Sequence, residues 1–254
     1  MQITFTGTGT SQGIPVIACP CDVCQSEDSR DKRLRSSIHI QTDTASIVID
    51  TGPDFRQQML RENIKQLDAV VFTHEHKDHT AGLDDVRAFN FVQKKAMKVY
   101  ATKQVQEALK REFAYAFADT KYPGVPEITL EEIDSDNPFI INGLTLIPIL
   151  VYHYKLPVLG FRVGDFTYIT DANFIPEEEK EKIKGSKVIV INALRRQTHI
   201  SHYTLEEAIA LMEELKPEKA YFTHMSHQLG KHEDVSKELP PYIYLAYDGL
   251  KILV

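Results

Sequence analysis

Short apolar or alternating runs recur along the chain, separated by turn-forming residues, and they predict β-strands. None is long enough to cross a membrane, including the apolar run at 145–151. The predicted strands are Ile3–Phe5, Ile38–Gln41, Ser46–Ile49, Ala69–Phe72, Lys98–Tyr100, Leu144–Val151, Gly160–Val163, Phe166–Ile169, Lys187–Ile191, Ala220–Phe222 and Ile243–Leu245.

Apolar residues at helical spacing predict helices between some of these strands. The pattern is clearest where Thr204 is a good N-cap and Glu207 completes a capping box before Pro217 stops the helix. The predicted helices are Asp54–Asn63, Asp84–Gln93, Lys103–Ala116 and Thr204–Leu215.

The order of elements runs from strands to mixed strands and helices, twice over. This order predicts an α/β (α+β) protein built as a four-layer αββα sandwich. The segment 121–127 is the best loop candidate, but neither a repeat nor a flexible linker marks a boundary. We therefore expect residues 1–254 to form a single hydrolase domain of this architecture.

The net charge of −7 argues against a broad nucleic-acid-binding face. It leaves a small phosphate substrate possible, because bound cations can invert the field inside a cleft. The first residues have neither the basic nor the apolar region of a secretory signal, so a cytoplasmic location is expected. We expect no association with membranes, and a homodimer remains open.

Three histidines and an aspartate cluster in THEHKDH (73–79), directly after a predicted strand. His74 and His76 alternate and so point to the same side of an extended segment, and the turn that follows can present Asp78 and His79 beside them. Imidazole and carboxylate suit zinc, manganese or iron, and four ligands within six positions can serve two ions. A solvated polar loop is the alternative, and it is disfavoured because this spacing is rare by chance.

Three further candidate ligands each lie just beyond a predicted strand. They are His153, Asp171 and His224. A single histidine in such a place is usually structural, but three strand-end ligands in a chain with the first cluster favour metal binding.

This order of ligands resembles the metallo-β-lactamase superfamily over most of the chain. The resemblance implies that His74, His76 and His153 hold one ion and that Asp78, His79 and His224 hold the second, with Asp171 bridging them. The β-lactamases themselves place cysteine where Asp171 stands. A carboxylate there resembles the phosphodiesterase, glyoxalase and nuclease branches instead.

All three cysteines lie within CPCDVC, at Cys19, Cys21 and Cys24. An odd count without a secretory signal argues against a disulfide framework. Three packed thiolates are typical of a tetrahedral structural zinc that needs one more ligand, although reactive thiols are an alternative. His227 is our choice for the fourth ligand, ahead of His39 and His232, because it shares a loop with His224.

The cysteine cluster limits the resemblance to a smaller branch of the superfamily when it is taken together with GTGTSQGIP (7–15) and the pair His224 and His227. The chain is similar to the phosphoribosyl cyclic phosphate phosphodiesterases of the carbon–phosphorus lyase pathway. A related branch contains proteins like the pyrroloquinoline-quinone biosynthesis protein B. The glycines at 7, 9 and 13 match no P-loop and are interpreted as turn residues.

The loop before the capped helix, LRRQTHISHYT (194–204), holds the candidate proton donor. His202 is preferred over His199, because in the similar phosphodiesterases a histidine shortly before this helix protonates the leaving group. Asp78 is the second candidate catalytic residue. Arg195 and Arg196 are candidate phosphate clamps, since guanidinium pairs phosphate oxygens bidentately, although solvated loop charges are an equal alternative.

The leading hypothesis is a binuclear phosphodiesterase that cleaves a small or cyclic phosphate ester with hydroxide held by two Mn²⁺ or Zn²⁺ ions. A nuclease resembling ribonuclease Z is disfavoured, because only seventeen residues separate His153 from Asp171, where that branch inserts an RNA-gripping arm. The remaining alternatives are a thioesterase or lactonase of the same fold and a non-hydrolytic protein of cofactor biosynthesis.

Overall fold

The computed structural model describes residues 1–120 and 122–254. This part of the chain contains fourteen strands. They are β1 (Gln2–Gly7), β2 (Ser37–Gln41), β3 (Ser46–Ile49), β4 (Ala69–Val71), β5 (Met97–Ala101), β6 (Ile128–Glu132), β7 (Phe139–Ile141), β8 (Leu144–His153), β9 (Leu156–Val163), β10 (Phe166–Tyr168), β11 (Val188–Asn192), β12 (Lys219–Thr223), β13 (Ile243–Leu245) and β14 (Lys251–Leu253).

The strands form two seven-stranded sheets. Their orders are β14-β1-β2-β3-β4-β5-β6 and β13-β12-β11-β10-β9-β8-β7. In the first sheet β14 to β3 pair antiparallel and β3 to β6 pair parallel. In the second, β7 to β10 pair antiparallel and β10 to β13 pair parallel. Each sheet therefore carries parallel strands whose carboxyl ends meet at one edge.

Eight α-helices lie in the described residues. They are α1 (Phe55–Arg61), α2 (Lys77–Thr80), α3 (Arg87–Gln93), α4 (Lys103–Glu112), α5 (Ala114–Phe117), α6 (Glu177–Ile183), α7 (Leu205–Leu215) and α8 (His232–Ser236). Two short 3₁₀ helices at Ser29–Asp31 and Leu83–Val86 complete the elements.

Three layers of core explain the runs of apolar residues. In β3, Ile47 and Ile49 pack between the two sheets with residues such as Phe161, whereas Val48 faces the opposite way, toward Phe55 of α1. Residues of α7 such as Leu211 cover the outer face of the second sheet. Both faces of the central strands are thus buried, and the predicted αββα sandwich is confirmed.

Every predicted strand is present, with ends that differ by a few residues, and the capping box of Thr204 and Glu207 is formed. The sequence patterns missed β6, β7 and β14 and helices α2, α6 and α8. The predicted helix at 84–93 begins as a 3₁₀ turn, and the one at 103–116 divides into α4 and α5. Of the loop candidate at 121–127, residue 121 lies outside the described part and 122–127 form a loop.

The candidate ligands meet at the edge where the parallel strands end. Gly52, after β3, packs so tightly against α2 that an added Cβ would lie 2.1 Å from the Asp78 carbonyl oxygen. This close approach holds the first ligand motif against the end of β3. Among the described residues, no helix is both long and apolar enough to cross a membrane.

Candidate metal centre

The first ligand motif, residues 74–79, extends from just after β4 into the single turn of α2. His74 follows β4 and is fully buried, His76 is the exposed N-cap of α2, and Asp78 and His79 lie within that helix. The rings of His74 and His79 have centroids 4.3 Å apart, and those of His74 and His76 are 4.6 Å apart. The turn therefore gathers all four side chains of the motif.

Asp171 lies at the centre of the cluster. Its Oδ2 is 3.7 Å from His74 Nε2 and 3.3 Å from His79 Nε2, and its Oδ1 is 2.9 Å from His224 Nδ1. Asp171 and His224 both have left-handed backbones, with φ of 59° and 54°. Non-glycine residues in this conformation store strain and are concentrated at functional sites. The carboxylate thus faces both predicted ion positions.

His153 approaches from the other side. It is the last residue of β8, whereas the pattern predicts a strand that ends at Val151 and places His153 just beyond it. Its Nδ1 donates to the Ser201 carbonyl oxygen at 2.8 Å, and its ring lies 5.1 Å from that of His76. The backbone bond leaves Nε2 free for an ion.

The charges of the cluster are coupled. Burial alone raises the pKa of Asp171, but the His224 and His79 rings hold it well below its ordinary value. Burial opposes the charge on His79, yet Asp171, Asp78 and Asp50 raise its pKa well above its ordinary value. Burial and the neighbouring His79 lower the pKa of His74. The carboxylates around His79 favour a proton on its ring, and because a metal ion requires the unprotonated nitrogen, metal binding at this site should depend on pH.

The donor atoms fit two divalent ions. His74 Nε2 and His79 Nε2 are buried and have no hydrogen-bond partner within residues 1–120 and 122–254, an arrangement that native structures otherwise avoid. Asp78, His79, Asp171 and His224 can place one ligand atom each within 4.8 Å of one another, as can His74, His76 and Asp171. Imidazole and carboxylate are the ligands of zinc and manganese centres.

Asp50, which the sequence patterns did not identify as a site residue, supports the ligands through hydrogen bonds. It is fully buried and accepts hydrogen bonds from His79 Nδ1 at 2.7 Å, the Thr73 hydroxyl at 2.8 Å and the Thr73 backbone N–H at 2.9 Å. The Thr73 hydroxyl lies 2.9 Å from His74 Nδ1. Asp50 follows β3 directly, so the strand-end rule that found the other ligands would also have found it.

The N-terminal loop also reaches the centre. The Thr10 hydroxyl lies 3.1 Å from His224 Nε2, and the Thr10 backbone N–H donates to the Met225 carbonyl oxygen. Of the predicted turn glycines, Gly7 is the last residue of β1, whereas Gly9 and Gly13 belong to this loop, and Gly13 has a φ of 64° that favours glycine. The loop therefore holds the last ligand segment in place.

The three cysteines gather around His227. Its Nδ1 is 3.3 Å from the sulfurs of Cys19 and Cys21 and 3.6 Å from that of Cys24. The Cys24 backbone N–H and the His227 ring lower the pKa of Cys21 to about 6, while burial raises that of Cys24 to about 11. The structure does not bring the competing His39 or His232 here, since His39 bonds Ser46 and His232 bonds Arg33. Three thiols and one imidazole fit a tetrahedral zinc.

His202 lies against the centre. It is buried, its Nδ1 has no hydrogen-bond partner in the described residues, and its ring is 4.5 Å from that of His153 and 4.9 Å from that of His224. Burial lowers its pKa to about 2. His199 is more exposed, and its ring lies 5.0 Å from His202. Of the two candidate donors, His202 thus lies beside the ligands.

Both candidate phosphate-binding arginines hydrogen-bond to other residues of the protein. Arg196 pairs with Glu238 at 2.8 Å and donates to the Leu229 carbonyl oxygen, so its guanidinium is held by residues on either side of α8. Arg195 bonds the Gln228 side chain and two carbonyl oxygens of its own loop. Among the described residues, neither guanidinium hydrogen-bonds a predicted metal ligand, and their role as phosphate clamps stays a prediction.

Comparisons with known proteins agree with this geometry. The sequence profile of the Beta-lactamase superfamily domain matches residues 45–225, more than half of the chain. A crystal structure of a diphosphatase from the PhnP family superposes with a TM-score of 0.93 at 39% identity, over 100% of this chain and 97% of that one. Two structures share the fold alone. Zn²⁺-bound PqqB from Methylobacterium extorquens has a TM-score of 0.83 at 18% identity, covering 100% of each chain. The short form of human tRNase Z has a TM-score of 0.73 at 16% identity, covering 100% of this chain and 99% of that one.

A curated relative from Porphyromonas gingivalis, named octanoyltransferase, is 41% identical over 256 residues, which cover 100% of this chain. That match covers 52% of the relative, so the chain spans about half its length. The fold, the ligand order and the sequence profile point to a hydrolase that binds divalent metal ions. The chain belongs to the metallo-β-lactamase superfamily.

Proposed function

We propose that the chain is a phosphodiesterase that uses two divalent ions, Mn²⁺ or Zn²⁺, to hydrolyse a small or cyclic phosphate ester. The observation that carries the proposal is the position of Asp171, whose carboxylate faces His74 and His79 with one oxygen and His224 with the other. The likeness to a PhnP-family diphosphatase along nearly its whole length supports phosphate chemistry.

We assign the ligands to two ions around that carboxylate. His74, His76 and His153 would hold one ion, and Asp78, His79 and His224 the other, with Asp171 shared. Ligand atoms of His74, His76 and Asp171 can lie within 4.8 Å of one another, as can those of Asp78, His79, Asp171 and His224, whereas His153 groups with Asp171 and His202. When bound, such a pair lowers the pKa of water and polarises a phosphoryl oxygen. The protein contributes orientation, because Asp50 fixes the His79 ring and the Ser201 carbonyl oxygen fixes His153.

His202 supplies the proton for the leaving oxygen. Because burial lowers its pKa to about 2, the ring is neutral before substrate binds. An anionic phosphate beside a histidine favours the imidazolium form and raises its pKa. The His202 ring is therefore suited to take up a proton with the substrate and to deliver it to the departing alkoxide.

Acyl-ester or thioester hydrolysis is the second candidate. It is favoured by the 41% identity to half of a protein named octanoyltransferase. That protein is about twice as long as the match, so acyl transfer can belong to its other half. The phosphodiesterase is preferred because the diphosphatase is matched over 97% of its own chain.

One experiment separates these candidates. Protein purified without chelator is analysed for metal and assayed with phosphodiesters, phosphomonoesters, an octanoyl thioester and lactones. The proposal expects two catalytic ions per chain, besides any zinc at the cysteines, and a preference for diesters. Preference for the thioester would favour the second candidate.

The Asp171→Ala variant tests the binuclear arrangement. Loss of the shared carboxylate should abolish turnover and release catalytic metal while zinc at Cys19, Cys21 and Cys24 stays bound. Near wild-type turnover of this variant would rule out the two-ion interpretation.

A further inference from the structure

The outer face of the first sheet carries buried polar side chains on β1 and β2. Ile3 of β1 and Ile40 of β2 pack between the two sheets. Side chains alternate along a strand, so Thr4 of β1 and His39 of β2 point the other way, and they lie directly opposite one another in the strand pair. Thr4 is only 2% exposed and His39 only 6% exposed. Two polar side chains are therefore buried outside the apolar core.

These two residues line a cleft of about 380 Å³, a volume within the range of about 300–1,000 Å³ that is typical of ligand pockets. Residues 62–66, which follow α1, and residues 43–45, which join β2 to β3, also line it. The cleft lies at the opposite end of the first sheet from the metal centre, because Ser46 begins β3 whereas Asp50 follows its last residue.

The hydrogen bonds of Ser46 fix the tautomer of His39. The Ser46 hydroxyl donates to the Gln66 carbonyl oxygen at 2.6 Å, so its only proton is already used. The His39 Nε2 atom lies 2.8 Å from the same hydroxyl and must therefore be the donor in that contact. Burial lowers the pKa of His39 to about 4, so the ring is neutral at pH 7. Nδ1 is consequently an unprotonated acceptor.

Two polar atoms of the cleft have no partner within residues 1–120 and 122–254. Neither His39 Nδ1 nor the Thr4 hydroxyl makes a hydrogen bond there, and neither belongs to the polar atoms that are sealed from solvent. Since both residues line the cleft, both atoms open into it. Polar groups of buried residues are normally hydrogen-bonded. A ligand in the cleft can satisfy both atoms at once, because directly opposed residues of a strand pair lie side by side.

The charged groups around the cleft are largely neutralised within the protein. Glu62 pairs with Lys251 at 3.3 Å, and Asp68 pairs with Lys95 at 3.1 Å. The other two charged residues of the lining are exposed and opposite in sign, and they are Asp43 and Lys65. The cleft therefore offers hydrogen-bonding groups without a net charge.

We propose that the cleft binds a small neutral polyhydroxyl molecule, a monosaccharide or cyclitol, through Thr4, His39 and Gln41. A ligand hydroxyl can donate to His39 Nδ1 and accept from the Thr4 hydroxyl. The Gln41 amide nitrogen donates to the Thr42 carbonyl oxygen at 2.8 Å, which leaves its Oε1 to accept from a further hydroxyl. The site lies apart from the metal centre and does not depend on the proposed phosphodiesterase function.

The lining disfavours other classes of ligand. A cleft without net charge does not concentrate phosphates or amines. Among the described residues that line it there is no phenylalanine, tyrosine or tryptophan on which a base could stack. Only Ala45 and Ile64 of the lining are apolar, so an alkyl chain would bury little apolar area. In the part of the chain that the structure describes, His39 belongs to no group of possible metal ligands.

The first test is calorimetric titration of the metal-loaded protein with D-glucose, D-ribose and myo-inositol. Glucosamine and glucuronate are the charged counterparts of glucose. At least one neutral probe should bind at one site per chain, and more tightly than the charged sugars. In ¹⁵N NMR spectra the Nδ1 resonance of His39 should shift on binding while Nε2 stays protonated, because the ligand donates to Nδ1.

The second test removes single ligand contacts. Thr4→Val and His39→Phe should each raise the dissociation constant by about 2- to 12-fold, the range for one hydrogen bond. The Tm of Thr4→Val should not fall, because its hydroxyl has no partner in the described residues and valine favours strands. Thr129→Val is the matched control, since Thr129 is an exposed threonine on β6 of the same sheet and lies outside the cleft. It should leave binding unchanged.

Four outcomes overturn the inference. Failure of all three neutral probes to bind would mean that the cleft holds only water. Tighter binding of glucosamine or glucuronate would refute the neutral class of ligand. Wild-type affinity in both Thr4→Val and His39→Phe would place the binding elsewhere. Resonance shifts at His76 without shifts at His39 would place it at the metal centre.

Discussion

Replacing Asp50 with asparagine should weaken metal binding without removing a ligand. The Asp50 Oδ2 atom accepts from both His79 Nδ1 and the Thr73 hydroxyl, and Oδ1 accepts from the Thr73 backbone N–H. An asparagine that keeps its carbonyl oxygen toward that N–H must turn its NH₂ group toward His79 and the hydroxyl. A donor then faces a donor at both contacts.

The rings can restore these bonds only by changing tautomer. If His79 Nδ1 accepts from the amide, the ring proton moves to Nε2, the atom that faces Asp78 and Asp171. If the Thr73 hydroxyl turns to donate to His74 Nδ1, the His74 proton also moves to Nε2. A protonated nitrogen cannot ligate an ion. Disruption of one such supporting bond typically costs 10- to 100-fold in metal affinity, or about 1.4–2.7 kcal/mol.

The assay is competition for Zn²⁺ with a chromogenic chelator, monitored together with the Tm of the metal-free protein. Asp50→Asn should lower zinc affinity by about 10- to 100-fold or more, since both ion positions are affected. Asp68→Asn is the matched control, because Asp68 is a mostly buried carboxylate at the opposite end of β3, where it accepts from the Ser46 backbone N–H. Zinc affinity of Asp50→Asn within twofold of the control would refute the tautomer argument.

Three further predictions concern other parts of the molecule. Cys21→Ser should lower the Tm and release about one zinc per chain, because the binding energy of such a site is folding energy; a Cys19–Cys24 disulfide and no third metal in the wild type would contradict this. His202→Ala should reduce the rate with an alkyl phosphodiester by about 10²–10⁴-fold and the rate with a nitrophenyl diester far less, with unchanged metal content, because only the alkoxide needs a proton. Equal losses would instead indicate that His202 positions the substrate. Burial lowers the pKa of His39 from 6.5 to about 4, so the unfolded chain binds the proton first as pH falls. The free energy of unfolding should therefore drop by up to about 3 kcal/mol between pH 6.5 and 4, and urea denaturation of His39→Gln should show a flatter pH dependence.

Local patterns predicted the sandwich well because its central strands are buried on both faces. Each apolar residue of β3 contacts one of two cores, so this strand is recognisable from its own sequence without knowledge of its pairing partners. The missed strands β6, β7 and β14 are short and half-exposed. Their pairing partners, rather than their own composition, make them strands.

The candidate site likewise contains features that the sequence predicts and features that it does not. Ligands at strand ends could be predicted, because the direction of the chain fixes where residues at a strand end point. Asp50 also lies at a strand end, but in the sequence it resembles an ordinary turn residue before Gly52 and Pro53. The ion pair between Arg196 and Glu238 could not be predicted, because Glu238 is distant in sequence and the guanidinium has many rotamers. The left-handed backbone of Tyr154, with a φ of 60°, could not be predicted either, since it depends on the exact pairing of β8 with β9.

The pairing of β14 with β1 has a consequence for the order of assembly. β1 pairs with β2 along one edge and with Lys251–Leu253 along the other, although β1 and β14 are far apart in the sequence. Until β14 has been synthesised and has paired with it, β1 therefore presents an open, apolar strand edge, and open edges of this kind template aggregation. Loops that close over such a long separation in sequence also form slowly. Truncation of Lys251–Leu253 should thus reduce the soluble yield more than the few residues removed would suggest.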